Sequence, residues 1–341
     1  MSRGTTAPTR RHVALGAAAA LGAPFVLAGM RSARARTADL GQAARAFPRL
    51  HTVLVQQGDD LILAETLRGP GAERVANVKS VSKSIVALLL GIAIGRGDVP
   101  DVRARLIDVA PDIVPPNATP GVEDLTLEDL VTMRAGLAAT SGRAYGAWVG
   151  STNWIAYVLR QEMVARPGGR MIYSTGSTHV LGAALAVAAG ESLLTQARTR
   201  LADPLGIAIP AWTRDPQGFY LGGNQMALTP AAMLRIAATV RDGGRFAGTQ
   251  VIPSGWVDAS ARPRTRSPWS GLGYGYGWFL SETGYMIARG YGGQVIAAHP
   301  GRGLAVAITS DPDRPARSRG YFGDLMAFLD GPVLQAADAR S

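Results

Sequence analysis

Residues 50–67, LHTVLVQQGDDLILAETL, hold two apolar runs of strand length around a turn at Gln57-Gly58-Asp59. A two-stranded hairpin is marginal by itself in water, so this one must join other strands. The next strand-like texture begins only near residue 271. There GLGYGYGWFL alternates glycine with Tyr274, Tyr276 and Trp278, which a period of two places on one strand face. YMIARGYGGQVIAAHPGRGLAVAITSD supplies further strands, with His299-Pro-Gly-Arg-Gly as a hairpin turn. A helix over about 321–337 closes the chain. Both ends of the chain therefore have to meet in one antiparallel sheet, with everything between them inserted beside it.

The insertion reads as helical. SVSKSIVALLLGIAIGR (80–96) is apolar over a helix length, and Thr126-Leu-Glu-Asp starts another helix over 125–133. Helical periodicity returns at 151–164, 176–190, 192–203 and 230–242, after a loop region marked by Pro100, Pro111, Pro115, Pro116 and Pro120. A short helix is expected near 38–46. The fold class is α+β, an antiparallel sheet flanked by helices with an inserted, mainly helical region. The sheet part covers 47–79 and 265–341, and the helical part 80–264.

Arg10-Arg11 precede a weakly apolar run from Val13 to Gly29, and Ala33-Arg34-Ala35 fits a small-x-small cleavage site. The pattern predicts a Tat-type export leader over residues 1–35 and a mature domain over 36–341, exported to the periplasm or the medium. An uncleaved anchor is the alternative. Membrane contact is expected only during export. The leader carries five arginines and no acid, so the net charge of +10 falls to +5 in the mature chain. No basic run with interleaved aromatics appears, and no nucleic-acid partner is expected. The chain has no cysteine, which excludes disulfides and thiolate chemistry. Its four histidines have no ligand spacing, so neither metal nor organic cofactor is expected.

Lys79 and Lys83 are the only lysines among 35 Lys and Arg residues. Ser80 and Lys83 stand in an i, i+3 relation at the start of the apolar helix, where side chains are neighbours. A serine hydroxyl needs a base to become a nucleophile. Lysine can be that base only when neutral, and burial beside residues 85–90 lowers its pKa in that direction. The charge of Lys79 is expected to add to the push. Arginine cannot serve, because it keeps its proton. Ser82 and Ser84 lack a lysine at i+3 and are expected to face elsewhere.

SVSKS opening an apolar helix resembles the active-site serine segment of the serine β-lactamase and penicillin-binding-protein superfamily. It is most similar to the class C β-lactamase branch, with its esterase and 6-aminohexanoate-dimer hydrolase relatives. The resemblance covers roughly 50–330 and extends to GGNQMALTP (222–230), VIPSGWV (251–257) and YGYGW (274–278). It implies a β-lactamase-like fold and a Tyr-x-Asn motif, here Tyr173-Ser174-Thr175. It also implies a third motif on a strand facing the serine, here Gly290-Tyr291-Gly292 followed by Gly293. Tyr173 would share proton transfer with Lys83 if a cation holds it ionised. The N–H groups of Ser80 and Gly293 would form the oxyanion hole. Thr175, Gly290, Tyr291 and Gly292 would contact substrate.

These residues together predict a serine hydrolase that cleaves a small-molecule ester or amide through an acyl-enzyme. A β-lactamase or D-alanyl-D-alanine carboxypeptidase is the alternative within this chemistry; a ligand-binding or sensory module without turnover is the alternative from another class. Two departures bear on substrate. Thr175 stands where the family has Asn, and Gly290 where it has Lys or His. With no cation at position 290, and Arg289 expected on the opposite strand face, neutral substrates are predicted to be preferred.

Overall fold

The computed structural model describes residues 39–338, together with Met1, Ser2 and Gly4. Those three apart, the expected leader lies outside the described residues. Residues 39–45 form the first helix, α1. The hairpin is β1 (Leu50–Gln57) and β2 (Asp60–Thr66), turning through Gly58 at φ +54°. Six further strands follow late in the chain. They are β3 (Thr265–Arg266), β4 (Gly273–Tyr274), β5 (Phe279–Leu280), β6 (Met286–Gly290), β7 (Gln294–His299) and β8 (Leu304–Ser310). Among the described residues the sheet runs β2-β1-β8-β7-β6-β5-β4-β3, antiparallel throughout. The early hairpin therefore joins the late strands through β1 and β8, where Val53 lies opposite Ile308 and Val55 opposite Val306.

Alternation along the strands splits the core in two. Val53, Val55, Val306 and Ile308 face one side, against α1 and α7 (Tyr321–Phe328). Ala305 and Ala307 face the other, where their small side chains let α6 (Pro230–Arg241) lie close across β8. The inserted region contributes α2 (Ser82–Arg96), α3 (Leu127–Val131), α4 (Trp154–Leu159) and α5 (Thr175–Ala189). Thr126 caps α3 with its side chain on the Asp129 N–H, the capping box legible in the sequence. α2 is buried all round from Ser82 to Ala93 and has no solvent stripe. Trp256 packs where a Cβ on Gly91 would come within 2.2 Å of it.

One expectation fails. Tyr274, Tyr276 and Trp278 do not share a strand face, because the segment is two short strands joined by a turn. The Gly275 N–H donates to the Trp278 carbonyl at 2.9 Å, and Gly277 sits at φ +76°. The Ser84 hydroxyl donates to the Gly277 carbonyl at 2.6 Å and pins this turn to α2. Tyr274 is thereby directed toward Met133 and Met171, while Tyr276 and Trp278 enter the core beside α2.

Candidate active site

Ser80 sits in a single 3-10 turn, Lys79–Val81, that leads into α2. Lys79 has φ +52°, a left-handed conformation that disfavours a residue with a Cβ by about 1–2 kcal/mol. The turn is held from several sides. The Lys79 N–H donates to Asn77 Oδ1 at 2.9 Å, and the Ser82 hydroxyl donates to the Lys79 carbonyl at 2.6 Å. Ser82 Oγ also accepts from the Met226 N–H at 3.2 Å. Ser82 and Ser84 are buried and committed to backbone partners, so neither competes with Ser80.

Lys83 is only 2 % exposed. Its Nζ lies 3.0 Å from Ser80 Oγ, 2.6 Å from the Gly223 carbonyl and 3.2 Å from Thr175 Oγ1. Burial pushes its pKa down to about 7, and burial alone is responsible. The contribution expected from the charge of Lys79 does not appear. Tyr173 hydrogen-bonds Ser80, and its ring centroid is 5.0 Å from Lys83 Nζ. Burial raises the Tyr173 pKa, opposed by the Ser80 hydrogen bond and the charge of Arg289. The phenol therefore keeps its proton at neutral pH, so the condition that a cation hold Tyr173 ionised is not met.

Gly290 ends β6 against the serine turn. A Cβ there would lie 2.2 Å from the Val78 carbonyl, so backbone fills the place that a Lys or His side chain would take. The Gly293 N–H is not free on a strand edge, as expected, but donates to the Gly290 carbonyl at 3.1 Å and closes a turn. That turn needs glycine at 292 and 293, whose φ values are +86° and +100°. Among the described residues no acceptor takes the N–H of Ser80, Tyr291 or Gly292.

A cleft of about 710 Å³ opens over Ser80, walled by Tyr173, Trp269, Phe279, Gly290 and the half-exposed Tyr291. Thr175, expected to touch substrate, is not in this wall. It is 4 % exposed, and its hydroxyl lies between Lys83 Nζ and Ser141 Oγ, the latter at 2.8 Å, so it neighbours Lys83 instead. Arg289 was expected to point away and does not. It leaves β6 on the face opposite Gly290, yet its guanidinium reaches the same cleft as Ser80. Sequence reasoning also missed the Gly223 carbonyl as a neighbour of Lys83 and Ser141 as the partner of Thr175.

The family model for Beta-lactamase matches residues 52–328. Among solved structures, a penicillin-binding protein homolog from Caulobacter crescentus superposes with a TM-score of 0.73 at 15% identity, covering 88% of this chain and 97% of that one. EstCE1, a hydrolase with promiscuous acyltransferase activity, gives 0.70 at 18% identity over 92% and 99%. A D-stereospecific amidohydrolase from Streptomyces sp. gives 0.68 at 18% identity over 87% and 98%. At such identities the likeness concerns the fold. No curated protein matches the chain.

Proposed function

Because this chain belongs to the Beta-lactamase family, we propose that it is a serine hydrolase that cleaves an ester or amide through an acyl-enzyme on Ser80. One observation carries this reading: a buried lysine, its pKa pushed down to about 7, stands 3.0 Å from a serine hydroxyl at the floor of an open cleft. Neutral Lys83 accepts the hydroxyl proton as Ser80 Oγ bonds to the substrate carbonyl carbon. The resulting oxyanion is met by the Ser80 N–H and by a second donor from the Gly290–Gly293 turn, where the N–H groups of Tyr291 and Gly292 remain unclaimed. The leaving oxygen or nitrogen departs with a proton supplied through the Tyr173 phenol, which Lys83 restores. Water then adds to the acyl carbon and gives a proton to the same pair; the bond from the acyl carbon to Ser80 Oγ breaks, the pair returns that proton to Oγ, and the acid leaves.

The test is turnover of 4-nitrophenyl butyrate, with intact-mass detection of the acylated chain during the reaction. We expect many turnovers and a transient adduct of acyl mass. An adduct that persists without turnover would replace the hydrolase by a ligand-binding or sensory module. No adduct and no turnover on esters, linear amides or β-lactams would remove the reading altogether.

We also infer export through the leader at 1–35, from Arg10-Arg11, the apolar run and Ala33-Arg34-Ala35. N-terminal sequencing of the exported protein should begin at Arg36. Normal export of the Arg10→Lys/Arg11→Lys double variant would exclude the Tat route.

A further inference from the structure

The wall of the cleft on the α7 side is basic. Arg289, Arg317 and Arg319 line it together with Ser318, and among the described residues no Asp or Glu does. The acids nearest in sequence, Asp311, Asp313 and Asp324, lie outside the cleft wall. None of the three arginines forms an ion pair among the described residues. Arg289 is held by two rings and a hydroxyl. Its guanidinium carbon lies 4.0 Å from the Phe322 ring centroid and 5.0 Å from that of Phe279, and Nη2 donates to Ser318 Oγ at 3.1 Å. Two aromatic rings and one hydroxyl fix a half-buried cation and leave it without a counter-charge. Burial lowers its pKa to about 10, which still leaves it charged at neutral pH. An unpaired, partly desolvated guanidinium is a strong site for a planar oxyanion.

Geometry restricts where that oxyanion can be. No side chain can occupy position 290, because the Val78 carbonyl stands there, so no cation touches the group next to the scissile bond from this strand. The Tyr173 and Phe279 rings stack in the same cleft with centroids 6.4 Å apart, and the Arg289 guanidinium lies over Phe279. The contacts thus run from Ser80 to Tyr173, from Tyr173 to Phe279 and from Phe279 to Arg289, with two ring faces between hydroxyl and guanidinium.

We propose that the substrate of Ser80 is an ester or amide with a remote carboxylate, separated from the scissile carbonyl by an apolar spacer and bound by Arg289 with Arg317 and Arg319. This rests on the hydrolase reading, deepens it, and reverses the neutral preference expected from position 290 alone. The spacer lies across Tyr173 and Phe279, and the carboxylate accepts from the guanidinium beyond them.

Two probes decide it. They are 4-nitrophenyl hydrogen adipate and 4-nitrophenyl hydrogen suberate, each measured against its own methyl ester, which has the same chain and no charge. Their spacers are long enough to suppress attack by the substrate's own carboxylate. The free acid is expected to exceed its methyl ester in kcat/KM by about ten- to a hundred-fold for at least one spacer. That ratio should fall toward one in Arg289→Met. It should fall partly in the Arg317→Gln/Arg319→Gln double variant, which changes only exposed side chains and so guards against misfolding. Added salt should lower kcat/KM for the acid more than for the ester. Methyl esters cleaved as fast as the acids, or a ratio that both variants leave unchanged, would overturn the proposal while the hydrolase reading stands. If neither the acids nor the methyl esters turn over in a Ser80-dependent way, the hydrolase reading itself has failed.

Discussion

Ser80→Ala is expected to reduce ester turnover by about 10⁴- to 10⁶-fold and to abolish labelling by a fluorophosphonate probe. Among the described residues the alanine removes the only hydroxyl hydrogen-bonded to Lys83 that also opens on the cleft. Thr175 Oγ1 is within 3.2 Å of the same lysine, but it is buried and cannot meet a substrate carbonyl. The fold should survive, because Ser80 Oγ supports no backbone group in the turn. Ser82→Ala provides the contrast. It deletes the hydroxyl bonded to the Lys79 carbonyl and the Met226 N–H, and should lower stability by about 1–3 kcal/mol while leaving labelling intact. Peptide mapping that put the adduct on Ser82 would overturn the assignment of the nucleophile and of the base together.

Lys83→Arg is expected to be nearly as inactive as Lys83→Met, each losing about 10³- to 10⁴-fold in kcat/KM. Arginine keeps its proton, and it must also fit a space in which lysine is 2 % exposed and bonded to the Gly223 carbonyl. The wild-type pH profile reports the same group. Only the neutral amine accepts the Ser80 proton, so kcat/KM should rise with pH through about 7 and fall about tenfold per unit below it. The stability effect has the same sign. Between pH 7 and the ordinary lysine value of 10.5 the folded state binds fewer protons than the unfolded chain, so stability rises with pH across that window. A rising limb near 10, or an active Lys83→Arg enzyme, would remove Lys83 as the base.

The strands at 50–67 and 286–310 and the helices at 127–131, 175–189 and 230–241 were legible because each carries a period and a boundary signal. Thr126 before α3 and Gly97 after α2 are local signals of that kind. The aromatic segment at 274–278 misled. Its spacing fits a strand, but Gly277 is drawn into a turn by a hydroxyl on a helix far away in sequence. The pairing of Ser80 with Lys83 was readable because both lie on one helical turn, and Tyr173 followed from a family motif.

By itself the sequence determined a sheet divided between the two ends of the chain, and a serine followed three residues later by a lysine at the head of an apolar helix. Period, apolar run length and i, i+3 spacing are local, and a chain carries them wherever it folds. Only the tertiary structure decided what surrounds those residues. It buried Lys83 deeply enough to lower its pKa, and it set the Gly223 carbonyl and Thr175 beside it. It tied the Gly293 N–H into a turn and filled the space at Gly290 with the Val78 carbonyl. It also brought Arg289 into the cleft. Alternation correctly assigned its Cβ to the far face of β6, but a strand's period fixes only the first bond of a side chain. An arginine side chain extends well beyond that bond, and where its guanidinium rests depends on Phe279, Phe322 and Ser318, which come from other elements.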